Sequence, residues 1–428
     1  MKNNKSVQLG FMALLVSSIG MSQSPTVTSW VINTDNTTGY NCSGCSPAAY
    51  GTIDADIQSV NYTTNNVYVS TEGVPSYNVG PWQTNPNIPK AQGKVWKFTL
   101  FPSEKSGDKT ATSLGSLGAF INGIGVYNPM DGFYWDNINN VMQPGGTGTW
   151  NRNAYVFEAV SFDACLGHAD GGGRYHNHVN PKCIYDYTAT NVHSPIIGYA
   201  FDGFPIYGAF AYTNTDATGV IKRMKSSYKL TANTTRTDGP NMSEYSAGDF
   251  CEDYVYTENY GDLDPHNGRY CKTPEYPNGT YAYFVTTEDN GDPYYPFVIG
   301  PTYYGVVPNG NSGPLGGKNT IPGNAANYVP NTTNIPSEVN ANGAVKVYPI
   351  PVIDHLLNFE ITADITTDMV VKIIDYQGRT LIYKTFVKGS VSKNVQISAP
   401  YLNTGIYWLS VTVNDSTSIQ KIVFNDGF

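Results

Sequence analysis

The stretch "CLGHADGGGRYHNHVNPKC", residues 165–183, gathers three of the chain's six histidines between two cysteines. His176 and His178 form a His-x-His pair, and on a strand side chains alternate with a period of two, so both imidazoles share one face. Two such rings stand about 7 Å apart at their Cα atoms and can converge on one ion at a ligand distance of roughly 2.0–2.1 Å. His168 precedes the pair, and the intervening "ADGGG" is a glycine-rich turn able to fold the chain back. Three imidazoles with an open fourth position describe a catalytic zinc site; with Tyr175 and Tyr207 nearby, the same set suits copper.

A ligating imidazole usually donates its other N–H to a carboxylate or carbonyl. Asp202, inside the otherwise apolar "FDGF", is the expected fourth ligand or acceptor, because a buried carboxylate without a partner is costly. Asp163 and Asp170 are nearer in sequence, with weaker claims. Tyr175, Tyr207 and His266, the last within "LDPHNGRYC", are candidates to surround the site. His193, before "SPIIG", suits a surface or capping role as well as a ligand, and His355 falls in a different part of the chain. Two other readings stay open: a proton-handling site without metal, and histidines held for shape by backbone carbonyls.

The cysteines are expected to staple such a site. The chain opens with "MKNNKSVQLGFMALLVSSIGMSQSP", in which Lys2 and Lys5 precede an apolar run too short to span a bilayer and a small-residue cleavage site. Residues 1–22 thus read as a secretory signal peptide, with no lipobox cysteine after it. Export places Cys42, Cys45, Cys165, Cys183, Cys251 and Cys271 in an oxidising compartment, where an even count reads as disulfides. Spacing does not fix the map; neighbours in sequence are the simplest partners, giving Cys42–Cys45, Cys165–Cys183 and Cys251–Cys271. The "CSGC" at 42–45 lacks the strand–helix–strand setting of a redox dithiol.

Of the 428 residues only 14% are charged, while tyrosine and glycine are abundant. That mixture suits strands and turns more than long helices. A net charge of −9 without a basic block argues against nucleic acid as a partner, and no second apolar run reaches the length of a membrane span. The expected class is mainly β. Residues 23–304 hold short aromatic runs such as "KVWKFTL", "AYVFEAVSF", "IIGYAFDGFPIYGAF" and "GTYAYFVTT", all read as strands. Residues 305–342 are rich in Gly, Pro, Asn and Thr and read as a linker. Residues 343–428 carry alternating or β-branched runs of sandwich length with a "YQGR" turn, which predicts a small immunoglobulin-like β-sandwich.

This tail resembles the type A C-terminal sorting domain of the type IX secretion system, on "YPIP" (348–351), "DYQGR" (375–379), "LNTGIYWLSV" (402–411) and "KIVF" (421–424). Ile350 departs from the asparagine usual between the two prolines. The resemblance implies carriage across an outer membrane by that machinery, to the medium or the cell surface. The stretch around the histidines resembles the YHYH domain family, here with "YHNH" (175–178), so that Asn177 replaces the second tyrosine. The resemblance continues through "DACLGH", "PKC", "SPIIGYAFDGFPIYG" and "LDPHNGRYCKTPEYPNGTYAYF", with its motif core at about 150–304. It implies no particular activity.

No Gly-x-Ser-x-Gly elbow or phosphate loop is present, and "DLDPHNG" departs from a calcium loop in its glycine position and in Thr273. The first reading is therefore an exported YHYH-domain protein with a divalent metal, zinc or copper, on His168, His176, His178 and Asp202, acting on an extracellular substrate. The rival is a surface module without catalysis that binds glycan or peptide or sequesters metal. Residues 24–150 carry no motif that names a chemistry.

Overall fold

A computed structural model of the chain describes residues 24–330 and 345–424, apart from positions 40–41, 43–44, 46–50, 83–84, 86, 314–315, 363, 376–379, 389–392, 400–401, 403–404 and 415. The expected signal peptide, the "YQGR" turn and the end of the expected linker lie outside the described residues. The rest is almost wholly β.

After a short helix (Pro25–Thr28) and a pair of two-residue strands come β1 (Ile57–Tyr62), β2 (Asn66–Thr71) and β3 (Lys94–Thr99), paired antiparallel in that order. They pack against a larger sheet of β4 (Ser116–Phe120), β5 (Gly125–Tyr127), β6 (His168–Ala169), β7 (Tyr175–Asn177), β8 (Ile196–Ala200), β9 (Pro205–Tyr207), β10 (Gly268–Cys271) and β11 (Thr280–Phe284). Its strand order is β6-β7-β5-β4-β8-β9-β11-β10, with the β7–β5 and β9–β11 pairs parallel and the others antiparallel. "IIGYA" and "TYAYF" are buried at every position because sheet faces are covered on both sides. Trp30, Phe98, Tyr199 and Phe201 join the two sheets, with ring centroids 5.2 Å apart for Trp30–Phe98 and 5.4 Å for Trp30–Tyr199. Residues 24–150, silent in sequence, thus supply about a third of one continuous core. A further strand, β12 (Ala326–Tyr328), lies inside the expected linker and pairs with the open edge of β1. Backbone pairing at an edge needs no apolar side chains, so composition does not announce it.

"AYVFEAVSF", read as a strand, is instead a short helix, Ala154–Glu158, followed by a 3-10 turn at Ala159–Ser161. Asn153 caps it, its side-chain oxygen accepting from the Tyr155 amide at 3.1 Å, and that cap outweighs the β-branched residues.

The tail forms two facing sheets. One is β13 (Val345–Val347), β14 (Leu356–Ile361) and β17 (Asn394–Ser398); the other is β15 (Met369–Ile374), β16 (Thr380–Phe386), β18 (Gly405–Val413) and β19 (Ser416–Phe424). Alternate residues such as Met369, Val371 and Ile373 face a second core that shares no residue with the first, as a sandwich requires. Among the described residues no helix is long and apolar enough to cross a membrane.

Cys42–Cys45 and Cys165–Cys183 are joined, with Cα atoms 5.4 and 5.2 Å apart. The third expected bridge does not form: Cys251 and Cys271 are free, buried thiols. Cys251 Sγ packs by the carbonyls of Pro129 and Arg152, at 3.7 and 3.9 Å, whereas Cys271 sits in β10 opposite Thr280. The fold places the two on different elements despite their short separation.

Candidate metal centre

Asp170 closes the β6–β7 hairpin by accepting from the amides of Gly172 (2.9 Å) and Arg174 (3.1 Å). Gly173 there takes a positive φ of 75°, which glycine adopts freely. The hairpin makes His168 the cross-strand neighbour of His176. His178 follows two residues later, on the same face. All three rings are buried, and one ring nitrogen of each lies within 4.8 Å of the others. His168 Nε2 is 3.0 Å from His176 Nε2, which is 3.1 Å from His178 Nε2.

The opposite face of β7 grips the preceding loop. Tyr175 Oη donates to Asp163 Oδ2 at 2.9 Å, and Asn177 Nδ2 donates to the Cys165 carbonyl at 3.0 Å. Asp163 also accepts from the amides of Gly80, Cys165 and Gly167. Burial raises its carboxyl above the ordinary value, although these amides oppose the rise. The Cys165–Cys183 bridge closes the same loop. One face of the strand therefore fixes the loop while the other presents the imidazoles.

Each imidazole has an assigned tautomer. His176 Nδ1 faces the Arg174 carbonyl at 2.9 Å, and His178 Nδ1 faces the Asn128 carbonyl; a carbonyl only accepts, so both Nδ1 atoms carry the proton. His168 Nδ1 is 2.8 Å from Ser161 Oγ, whose own hydrogen goes to the Glu158 carbonyl at 2.7 Å, so this Nδ1 donates as well. In the neutral state all three Nε2 lone pairs then point at one centre. Burial, with the neighbouring His178, pushes His168 down to about 4. Burial, with both neighbouring imidazoles, holds His176 well below the ordinary histidine value. Tyr127 stacks on His176 with ring centroids 3.7 Å apart, and Phe162 packs edge-on against His168 at 4.8 Å.

The carboxylate beside the cluster is Glu158, at the end of the short helix. Its Oε2 is 3.2 Å from His178 Nε2 and 3.7 Å from His168 Nε2. Burial alone would raise this carboxyl; the adjacent His178, His168 and Arg152 hold it below the usual range. Sequence reasoning missed Glu158, and the available signal was a lone acid within the apolar "AYVFEAVSF". Ser161, Asn128, Tyr127 and Phe162 were also missed, since spacing says nothing of contacts made across a fold.

The structure does not bring Asp202 to the histidines. Its Oδ2 accepts from Tyr283 Oη at 2.6 Å and from the Gly305 amide at 2.8 Å, and Oδ1 accepts from the Phe204 amide. Its partners are the backbone and a tyrosine. Tyr207 Oη instead meets Thr273 and Glu275, and His266 Nδ1 meets Thr302. His193 Nδ1 meets the Ser194 carbonyl, and burial lowers that ring to about 4. Asp163 and Tyr175 support the loop without touching an imidazole, while Asp170 holds the hairpin turn.

The cluster opens on a cleft of about 640 Å³ whose walls include Glu158, Ser161, Met130, Asp131, Asn85 and Asn87. Four converging acceptors beside a cleft can hold a cation and leave it reachable from outside.

The family model described as YHYH protein matches residues 95–295, beginning ahead of the motif core expected from sequence. The model of the secretion system C-terminal sorting domain matches residues 346–425. No curated protein matches the chain.

Proposed function

We propose that this chain, a YHYH-domain protein exported through its type IX sorting domain, holds a divalent cation on His168, His176 and His178, with Glu158 as fourth ligand or as base. The supporting observation is the gathering of three ring nitrogens within 4.8 Å, with His168–His176, His176–His178, Glu158–His178 and Glu158–His168 contacts of 3.0, 3.1, 3.2 and 3.7 Å. Acceptors so close repel one another unless a proton or a cation stands between them. Ligand atoms 2.0–2.1 Å from one ion at tetrahedral angles stand about 3.3 Å apart, close to those four contacts. Three imidazoles suit zinc or copper.

Such an ion supplies Lewis acidity toward a substrate carbonyl or water, or one-electron chemistry if it is copper. The residues of the chain do the rest. Ser161 and the carbonyls of Arg174 and Asn128 orient the rings, and Tyr127 and Phe162 keep them from turning. Glu158, at the cleft wall, is placed to accept a proton from a group delivered there. We read the protein as a metal-dependent extracellular enzyme.

Elemental analysis of the purified protein, before and after a chelator, tests this. About one equivalent of metal, lost in His176→Ala with both disulfides kept, is expected. Less than about a tenth of an equivalent, with folding indifferent to the chelator, leaves only a metal-free module that binds glycan or peptide.

A further inference from the structure

A second chamber of about 340 Å³ adjoins the cleft, and Gly115, Tyr127 and Arg174 form walls of both. Among the described residues its lining contains Lys94 and Arg174 and no carboxylate, in a chain whose net charge is −9. Lys94 Nζ donates to the Gly316 carbonyl at 2.7 Å and lies 5.3 Å over the Trp96 ring. Among the described residues no carboxylate lies within ion-pair distance of it. Arg174 gives its Nε to Asp170 at 2.6 Å, which leaves its terminal nitrogens. Burial lowers Lys94, and the charges of Lys318 and Arg174 lower it further, against the opposing charge of Asp170. An ammonium group partly removed from water beside other cations is costly until an anion arrives.

The remaining walls combine the polar side chains of Gln92, Ser113, Ser116 and Asn311 with glycines and the apolar faces of Trp96, Leu114 and Tyr127. The polar groups match the hydroxyls of a sugar, and the aromatic faces suit its ring. The Tyr127 ring separates this chamber from His176, on which it stacks at 3.7 Å.

We infer that the chamber seats the negatively charged group of an acidic polysaccharide, a carboxylate or a sulfate ester, while the adjoining sugar reaches the histidines. The second half of this statement rests on the metal reading; the first half does not. Calorimetric titration of the full chain with a short galacturonate oligomer, a sulfated oligosaccharide, a neutral oligosaccharide of equal length and an oligoglutamate peptide tests it. One of the two acidic sugars is expected to bind, and which one identifies the group. The neutral sugar is expected to bind at least about tenfold more weakly, and Lys94→Gln to weaken the acidic sugar about tenfold while Lys94→Arg retains it. Equal binding of the neutral sugar, indifference to Lys94→Gln, or binding of the peptide alone overturns the proposal. Metal content measured on the same samples separates the two readings. Acidic sugar bound by a metal-free His176→Ala protein upholds the chamber by itself, and metal-loaded protein that binds no acidic sugar removes the chamber alone.

Discussion

His168 and His176 are register partners across a two-stranded hairpin, and their Nε2 atoms stand 3.0 Å apart. Neither nitrogen has a proton to offer the other, because each ring's Nδ1 donates elsewhere. The pair is held in an arrangement that a cation relieves, and the groups behind the rings set how firmly it is held.

Ser161→Ala removes the acceptor behind His168 while leaving the ligand set intact. Metal affinity should fall by about tenfold, as for other partners that orient a ligating imidazole, with folding unchanged. Competition against a chromophoric chelator reads this directly. Unchanged affinity would show that the His168 ring is oriented by packing alone.

Gly167 abuts Tyr175, and a Cβ at that position would overlap the phenol end that meets Asp163. Gly167→Ala should therefore displace β7, at a stability loss of about 1–3 kcal/mol, and should also loosen the metal. Gly171→Ala is the control, since a Cβ there meets nothing within 4 Å, and it should stay within about 0.5 kcal/mol of the parent in a denaturant titration.

Burial pushes the Asp202 carboxyl up to about 6, against hydrogen bonds from Tyr283 and the amides of Gly305 and Phe204. An unfolded aspartate titrates near 4, so the folded chain binds this proton more tightly, and its stability falls as pH rises from about 4 to about 6. The two-unit difference is worth on the order of 3 kcal/mol. Stability of Asp202→Asn minus that of the parent, followed by denaturation between these pH values, should rise with pH over that window. A flat difference would mean that the folded and unfolded carboxyls titrate alike.

Thiol titration should find no reactive group in the folded protein and two per chain after denaturation without reductant, from the buried Cys251 and Cys271. None after denaturation would restore the bridge expected from their spacing.

The residues that carry short-range geometry were legible in the sequence. His-x-His on a strand, a glycine turn returning His168, and a bridge across the loop all follow from the period of the strand and the reach of a few residues. The alternation of the tail announced its sandwich for the same reason. What could not be read depended on distant contacts. Asp202 looked like the carboxylate because it interrupts an apolar run, yet Tyr283 and Gly305 satisfy it. Glu158 holds that place because a capped helix turn, mistaken for a strand, aims it at His178.

The histidine hairpin is also gripped from outside the residues that the family model matches. The Gly80 amide meets Asp163, Trp82 Nε1 meets the Gly167 carbonyl at 3.1 Å, Asn85 Nδ2 meets the Ala169 carbonyl at 2.8 Å, and the Lys90 amide meets the Gly173 carbonyl at 2.8 Å. A polypeptide trimmed to residues 95–295 would keep every imidazole and lose the strap that runs along their backbone. A domain cut by its signature alone should therefore hold the hairpin loosely, whereas one begun at residue 24 keeps the strap.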